Sequence, residues 1–380
     1  MTRVVVVGGG VIGAFHAYLA LKQGAEVVHL EREFGARGAS IRNFGLIWVS
    51  GRRPGDELAL ALRSRQLWEE IGQEIPEVGF RANGSLTILQ NAAELAVVEQ
   101  VLAREDAAER QFSLLDPAEV RAVNPAIRGH VLAGLHCNAD AAVEPRQVPS
   151  AIRATLDGAP GYEWLPGRHI VEVGNRMVRD HLGEQHEGDL VFLCPGAAHR
   201  GFAGWQADHL PLRRVRLQMM ETEPFPVEVT TSIADGDSLR YYPAFDVPAL
   251  AGLPAPAPIV AEQHMQLLLQ QRLNGSLTIG DTHEYDEPFE VTVEEGPYRH
   301  LQERVESILG APMPPVRRRW AGVYSQVIDE RLFYCEEVAD SAWIVTGVGG
   351  RGMTAAPAIA ERVLAGAGLG QRAVASSTGL

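Results

Sequence analysis

Lysine is almost absent from this sequence: Lys22 is the only one, and every other basic residue is arginine. Chemistry that needs a lysine elsewhere, such as a pyridoxal Schiff base, is therefore excluded, since Lys22 stands in a helix close to the first glycines. Cysteine is scarce as well. Cys137, Cys194 and Cys335 show no C-x-x-C spacing and no pairing number, as expected in a reducing compartment. Positive charge is outnumbered, 34 basic against 48 acidic residues for a net charge of −14. That balance excludes a partner that wants a basic surface, nucleic acid above all. An anionic substrate would need a local cluster of arginines working against the overall field. Long apolar runs are missing too. The run 4–7 is too short for a signal peptide and meets glycines without a cleavage site, and no stretch reaches the length of a membrane span. The expectation is a cytoplasmic protein with no membrane partner. No metal is expected, because His136 beside Cys137, and His181 with His186, lack a convergent ligand set.

Core material, by contrast, is plentiful: hydrophobic residues make up 46% of 380, enough for two domains. Residues 3–7 (RVVVV) read as a buried parallel strand, 11–23 as a helix ended by Gly24, and 26–31 (EVVHLE) as a second strand, together a βαβ unit. Residues 56–72 read as a helix with Leu60, Leu67, Trp68 and Ile71 along one side, and 92–108 as another. Short strands follow from 158 to 195. Residues 211–315 are richer in alternating and aromatic segments and hold a proline-rich surface loop at 254–258. From 343 to 366 the pattern returns to strand, glycine turn and a helix over 356–364, before a frayed tail of about a dozen residues. The expected fold class is α/β: a Rossmann-type domain (1–55, 145–210 and 316–380) interleaved with a smaller domain (56–144 and 211–315) built on a mostly antiparallel sheet with helices.

Gly8-Gly9-Gly10-Val11-Ile12-Gly13 fits G-x-G-x-x-G between a strand and a helix. Gly8 permits the tight turn, Gly10 lets the backbone approach a pyrophosphate, and Gly13 lets the helix pack on the strand. The N–H groups at the helix start, around Val11 and Ile12, then aim at the phosphates. Glu31, followed by Arg32, ends the next strand where a carboxylate can accept ribose hydroxyls. Two later segments separate FAD from NAD. Residues 188–197 (GDLVFLCPGA) form a strand and a small-residue turn at Gly196, where a second phosphate-proximal crossover would lie. Residues 343–354 (WIVTGVGGRGMT) form a buried strand that leads into Gly349, Gly350, Gly352, Met353 and Thr354 at a helix start. A helix N-terminus there suits the pyrimidine edge of an isoalloxazine, stabilising the negative charge that reduction places on it. A nicotinamide enzyme has no need of this third element. A plain strand-to-helix turn is the alternative for that segment, and an NAD-dependent dehydrogenase is the alternative for the chain.

In these segments and their order the chain resembles the FAD-dependent family that contains D-amino-acid oxidase, glycine oxidase and monomeric sarcosine oxidase. The resemblance covers nearly the full length and rests on VVVVGGGVIG, VVHLERE, GARGASIRNFG, GDLVFLCPGA and GVGGRGMTAAPAIAE. It implies amine oxidation: a carbon–hydrogen bond next to nitrogen gives hydride to flavin N5, and the imine hydrolyses to an aldehyde or keto product. O2 or another acceptor then takes the electrons. It also implies that residues 38–45 pass the phosphates and then the ring, with Ser40 and Gly45 at the cofactor and Arg42 and Asn43 near the ring or substrate. Arg42 is otherwise a surface arginine in a turn.

More narrowly, ASIRNFG, LRYYPAF (239–245), IGDTHEYD (279–286) and RWAGVYS (319–325) resemble a bacterial branch associated with oxidation of aminophosphonates such as 2-aminoethylphosphonate. Family members acting on α-amino carboxylates carry an arginine just after the tryptophan-glycine segment, where Val323 and Tyr324 stand here. The resemblance therefore implies a tetrahedral oxyanion ringed by Arg240, Tyr241, Tyr242, His283 and Tyr324, with Asn43 alongside. Arg42, His283 and Tyr324 are the candidates for catalysis. Each tyrosine is otherwise a core residue with one satisfied hydroxyl, and His283 a structural one. A carboxylate held by Arg351 or Arg319 is the competing arrangement. Sarcosine oxidases attach FAD to a cysteine near the last glycine segment. Cys335 lies in an ordinary strand pattern and Ser325 is nearer that place, so noncovalent FAD is expected. Those oxidases also set a lysine over the flavin, and its absence here implies modest reactivity with O2. Oxidation of glycine, sarcosine or D-amino acids stays open as an alternative, as does a flavoprotein subunit without turnover.

Overall fold

The computed structural model describes residues 1–201 and 210–369, so the segment read as a frayed tail lies outside the described residues. The strand Arg3–Val7 follows an exposed Arg3 with four consecutive buried valines, a run that only a strand buried on both faces can use. It lies within a six-stranded sheet ordered Tyr334–Ala339, Ala342–Thr346, Leu190–Leu193, Arg3–Val7, Glu26–Glu31, Tyr162–Pro166. All neighbours run parallel except the first pair. The helix Val11–Lys22 crosses from the first strand to the second and stops at Gln23, followed by Gly24 at φ +79°.

Three helices share one apolar core beside this sheet. Phe15 of the first meets Trp68 of the helix Asp56–Glu74 edge-on, with ring centroids 5.0 Å apart at 88°. Trp68 Nε1–H in turn donates to the carbonyl of Met353, in the helix Gly352–Gly366, at 3.0 Å. Phe15 and Trp68 are completely buried, a contribution of roughly 2–3 kcal/mol each. The helix Asp56–Glu74 was expected with the second domain, but Leu60, Leu67, Trp68 and Ile71 turn into the first core. Its glycine-initiated partner Gly352–Gly366 begins four residues before the expected 356 and carries Pro357 inside the helix; the N–H that proline lacks would have bonded the Met353 carbonyl, which accepts from Trp68 instead.

The second layer is an eight-stranded sheet ordered Val316–Val327, Leu212–Pro224, Ser276–Gly280, Leu268–Gln271, Ser232–Ala234, Ser85–Leu89, Ala133–Cys137, Phe112–Leu115. It is antiparallel apart from Ser232–Ala234 beside Ser85–Leu89. Val316–Val327, expected with the Rossmann domain, is an edge strand here, paired with Leu212–Pro224 over almost its whole length. LRYYPAF is not a strand. Ser238–Tyr241 is a short helix and Pro243–Phe245 a single 3-10 turn, because Pro243 has no N–H to give a ladder. The helix expected over 92–108 ends at Leu102 and a separate turn, Asp106–Glu109, follows. Among the described residues no helix is long and apolar enough to cross a membrane.

Candidate active site

The glycine turn is shaped by contacts that leave no room for side chains. Gly8 sits at φ +111°, and a Cβ there would lie 2.4 Å from the carbonyl oxygen of Cys194. At Gly13 a Cβ would lie 1.9 Å from the Gly8 oxygen, so the helix rests directly on the turn. The Gly8 N–H donates to Leu30 at 2.7 Å, and its carbonyl accepts from His29 Nε2–H at 3.0 Å. His29 Nδ1 is then left to accept from Tyr162 at 3.1 Å, a neutral imidazole whose pKa burial lowers to about 4. Glu31 accepts from the N–H of Gly9 at 2.5 Å and of Glu33 at 2.8 Å, and Ser40 Oγ accepts from Val11 N–H at 2.9 Å. This turn borders one end of a cavity of about 860 Å³.

The turn Gly349–Arg351 and the start of the helix Gly352–Gly366 border the same cavity. Arg351 Nε lies 3.3 Å from Glu57 Oε1, and Arg52 Nη1 lies 3.7 Å from that same oxygen. Two guanidinium groups thus share one carboxylate, and all three side chains line the cavity. Arg52 is buried, its Nε–H donating to Trp48 O at 2.7 Å and its Nη2–H to Thr354 Oγ1 at 3.3 Å. The loop that carries it is held from both sides. Arg110, fully buried, donates to the carbonyls of Val49, Ser50 and Arg52, while Asp140 accepts from the N–H groups of Val49 and Ser50.

Opposite stands a cluster of phenols around an imidazole. His283 Nδ1–H donates to His264 O at 2.9 Å, so Nε2 accepts from the Tyr241 hydroxyl, also at 2.9 Å, and the two rings stack at 4.6 Å. Tyr324 interacts through its hydroxyl with that of Tyr241, and Tyr242 accepts from Gln266 Nε2–H at 3.3 Å. Burial raises the pKa of all three tyrosines, which keeps them protonated donors. Four buried polar atoms on residues that line this cavity have no hydrogen-bond partner: Trp48 Nε1, Gln266 Oε1, Asp281 Oδ1 and Ser325 Oγ. Buried polar groups are rarely left so, and four on one cavity point to a ligand that completes them.

The profile described as "DAO: FAD dependent oxidoreductase" matches residues 3–365. The chain belongs to this family of FAD-dependent oxidoreductases. No curated protein matches the chain. Solved structures with the same fold include L-proline dehydrogenase from P. horikoshii, 19% identical with a TM-score of 0.76, covering 97% of this chain and 94% of the other. Glycine oxidase from Bacillus cereus ATCC 14579 is 18% identical with a TM-score of 0.76, covering 98% and 95%. Iminodiacetate oxidase from Chelativorans sp. BNC1 is 18% identical with a TM-score of 0.73, covering 97% and 95%.

The residues present fit FAD. A Cβ at Gly196 or Gly352 would meet nothing within 4 Å, and one at Gly350 only the Tyr324 hydroxyl at 3.8 Å, so these backbones face open space that a flat ring system can fill. Gly8, Gly10, Val11, Ile12, Glu31, Arg32, Ser40, Asn43, Gly196, Gly349, Gly350, Gly352 and Met353 all line the cavity. Three residues expected at the cofactor do not. Gly13 is the packing glycine, Gly45 (φ +80°) backs onto the Val143 carbonyl, and Thr354 sits behind Arg52, bonded to Trp48 N–H and Leu46 O.

Of the residues expected around the substrate, Tyr241, Tyr242, His283 and Tyr324 come together, and Arg42, Arg240 and Asn43 do not join them as expected. Arg42 lines the cavity but its Nη1–H donates to Ala321 O at 3.0 Å. Arg240 is exposed at the rim, tied to Asp237 and to the carbonyl of Pro254. The Asn43 amide is fully engaged in its own loop, with Ala39 O, Ser40 O and Gly45 N–H. Arg319 pairs with Glu295 and does not line the cavity. Sequence reasoning missed Trp48, Arg52, Glu57, Gln266 and Asp281; buried polar residues of this kind carry no local pattern. His186, expected to lack a convergent ligand set, stands with Asp180 and Glu184, but Arg168 Nη1 already bonds both carboxylates.

Proposed function

We propose that the protein oxidises a small primary or N-methyl amine whose far end is an anion, and that the anion is a phosphonate. FAD, when bound, supplies the two-electron acceptor for the carbon–hydrogen bond next to nitrogen. The chain's own task is orientation, because a short flexible molecule must present that bond in one pose. The neighbours' names support an amine: glycine, L-proline and iminodiacetate each carry such a bond. The observation that carries the anionic end is the pair Arg52 and Arg351 on one oxygen of Glu57, which sets two positive charges against one negative charge at the cavity wall. Trp48, whose buried Nε1–H has no partner, lines the same cavity. Donors spread over three side chains suit the three oxygens of a tetrahedral phosphonate better than a planar carboxylate, whose ideal partner is one fork.

The grip is assigned to Arg52 and Arg351, rather than Arg42 and Arg240, because the first two share a single carboxylate at the cavity wall. Attachment of FAD is proposed to be noncovalent, since Cys335 lies off the cavity and burial pushes its thiol up to about 11. Lys22, bonded to Glu74 at 2.5 Å, is not on the cavity either, which supports slow use of O2. The test is an anaerobic screen read by bleaching of the flavin. 2-Aminoethylphosphonate or its N-methyl or hydroxy derivative should exceed glycine, sarcosine and D-alanine in kcat/KM by roughly tenfold or more, about 1.4 kcal/mol. Arg351→Met should erase that preference. Equal or better turnover of the amino carboxylates would end the phosphonate reading.

A further inference from the structure

The strand Ser276–Gly280 delivers Asp281 to the cavity just beyond its last residue, and Leu268–Gln271 begins two residues after Gln266. The two residues face each other across the ladder: Asp281 N–H donates to Gln266 O at 3.0 Å and Gln266 N–H to Asp281 O at 3.4 Å. Both side chains line the cavity and both residues are almost wholly buried, Asp281 at 5% exposure and Gln266 at 3%. Each ends in an oxygen without a hydrogen-bond donor, Asp281 Oδ1 and Gln266 Oε1.

His283 Nε2 is 3.8 Å from Asp281 Oδ2, too far for a hydrogen bond, and is already paired with the Tyr241 hydroxyl. The titratable groups facing Asp281 are His283 and Tyr285 from its own segment, Tyr241 and Tyr242 from the turn below, and Tyr324 from the edge strand. Of the eight arginines among the described residues that line the cavity, Arg52, Arg351, Arg42, Arg214 and Arg240 each have a partner of their own, as do Arg32 and Arg168. Arg213 is stacked on Tyr285. Burial raises the Asp281 pKa, a rise that the His283 charge and a side-chain hydrogen bond with Gln266 temper without cancelling. A buried carboxylate with a bare oxygen beside a second bare oxygen is short of one thing, a cation that carries N–H donors.

We propose that Asp281 Oδ1 and Gln266 Oε1 form the subsite for the substrate's ammonium group, and that Asp281 takes the proton this group must lose before oxidation. The proposal rests on the amine reading above and adds which atoms recognise the amine. In the step, one N–H bond of the ammonium breaks and its electron pair stays on nitrogen. The proton forms an O–H bond at Asp281 Oδ1, and nothing is oxidised or reduced. The neutral amine then has the lone pair that assists cleavage of the adjacent carbon–hydrogen bond. Asp281 keeps the proton until the product leaves. Gln266 accepts a second N–H and fixes the direction in which nitrogen points.

The experiment uses the FAD-loaded protein and tert-butylammonium, which has no hydrogen on the carbon bonded to nitrogen and so reports binding alone. Titration against the flavin absorbance should give saturable binding that tightens as pH rises through ionisation of Asp281, above the ordinary carboxylate range. Asp281→Asn, nearly identical in shape, should weaken binding at least tenfold and remove that pH dependence, while Gln266→Leu weakens it about threefold. With an oxidisable amine, the acid limb of anaerobic flavin reduction should disappear in Asp281→Asn. Absence of binding in the native protein, or equal binding in native and Asp281→Asn protein, would overturn the proposal and leave ordered water as the partner of the two oxygens. If Asp281→Asn folds poorly, unchanged binding in Gln266→Leu overturns it just as well. Binding through Asp281 without flavin reduction by any amine would refute the oxidation reading and leave the ammonium subsite standing.

Discussion

Gly13 illustrates how a single hydrogen atom in place of a methyl group can hold a cofactor site together. Its absent Cβ would collide with the Gly8 carbonyl at 1.9 Å, a backbone atom that cannot rotate away. Gly13→Ala should therefore lower Tm and yield protein lacking the flavin band near 450 nm, whereas a cavity-facing change at Gly352→Ala should leave Tm nearly unchanged. An alanine at 13 with full flavin content and native Tm would refute this. Gly8, Gly10, Gly13 and Glu31 were readable from spacing because strand, turn and helix are contiguous. Arg52 was not: in GRRPGDE it looks like any surface arginine. Only the fold brings Arg351, far along the chain, to the oxygen that Arg52 already faces. Asp281 and Gln266 were hidden for the same reason, since their pairing is a property of two strands and not of either segment.

Elements were readable wherever periodicity was strong and local. The alternation of strand and helix at both ends predicted the parallel sheet, and the change of texture after 211 predicted the antiparallel one. The misreadings fell where tertiary contacts decide. The face of Asp56–Glu74 is apolar in any assignment, and the sequence does not say that Phe15 and Met353 will cover it. The loop from Trp48 to Arg52 is a further case, irregular in pattern yet fixed by Arg110 and Asp140. Arg110→Lys keeps the charge but cannot reach three carbonyls, so it should destabilise the protein by roughly 2–4 kcal/mol. Because Arg52 rides on that loop, KM for an anionic amine should rise more than kcat falls. Denaturant unfolding and steady-state kinetics check the two halves separately, and a native KM would show that Arg52 is positioned by other means.

At the scale of the whole molecule, buried neutral histidines make stability depend on pH. Burial holds both His16 and His29 at a pKa of about 4, below the ordinary 6.5. The unfolded chain takes up their protons first, so their contribution is complete above pH 6.5 and is lost as pH falls to about 4. The loss is on the order of 3 kcal/mol for each. Asp140 and Asp281, whose pKa values are raised by burial, act in the opposite sense. The expected outcome is a denaturant midpoint that drops between pH 7 and 4.5, with a shallower drop in a His16→Gln, His29→Gln double variant. Equal slopes in both proteins would assign the acid sensitivity elsewhere. The bond from Trp68 to the Met353 carbonyl also has a consequence in time. Synthesis at ~5–20 residues per second separates the emergence of Gly8 from that of Met353 by roughly 20–70 s. Throughout that interval the first helix and Asp56–Glu74 have no third helix to close over them, so the nascent chain exposes the apolar faces that chaperones bind. Flavin can be enclosed only after that last piece has left the ribosome.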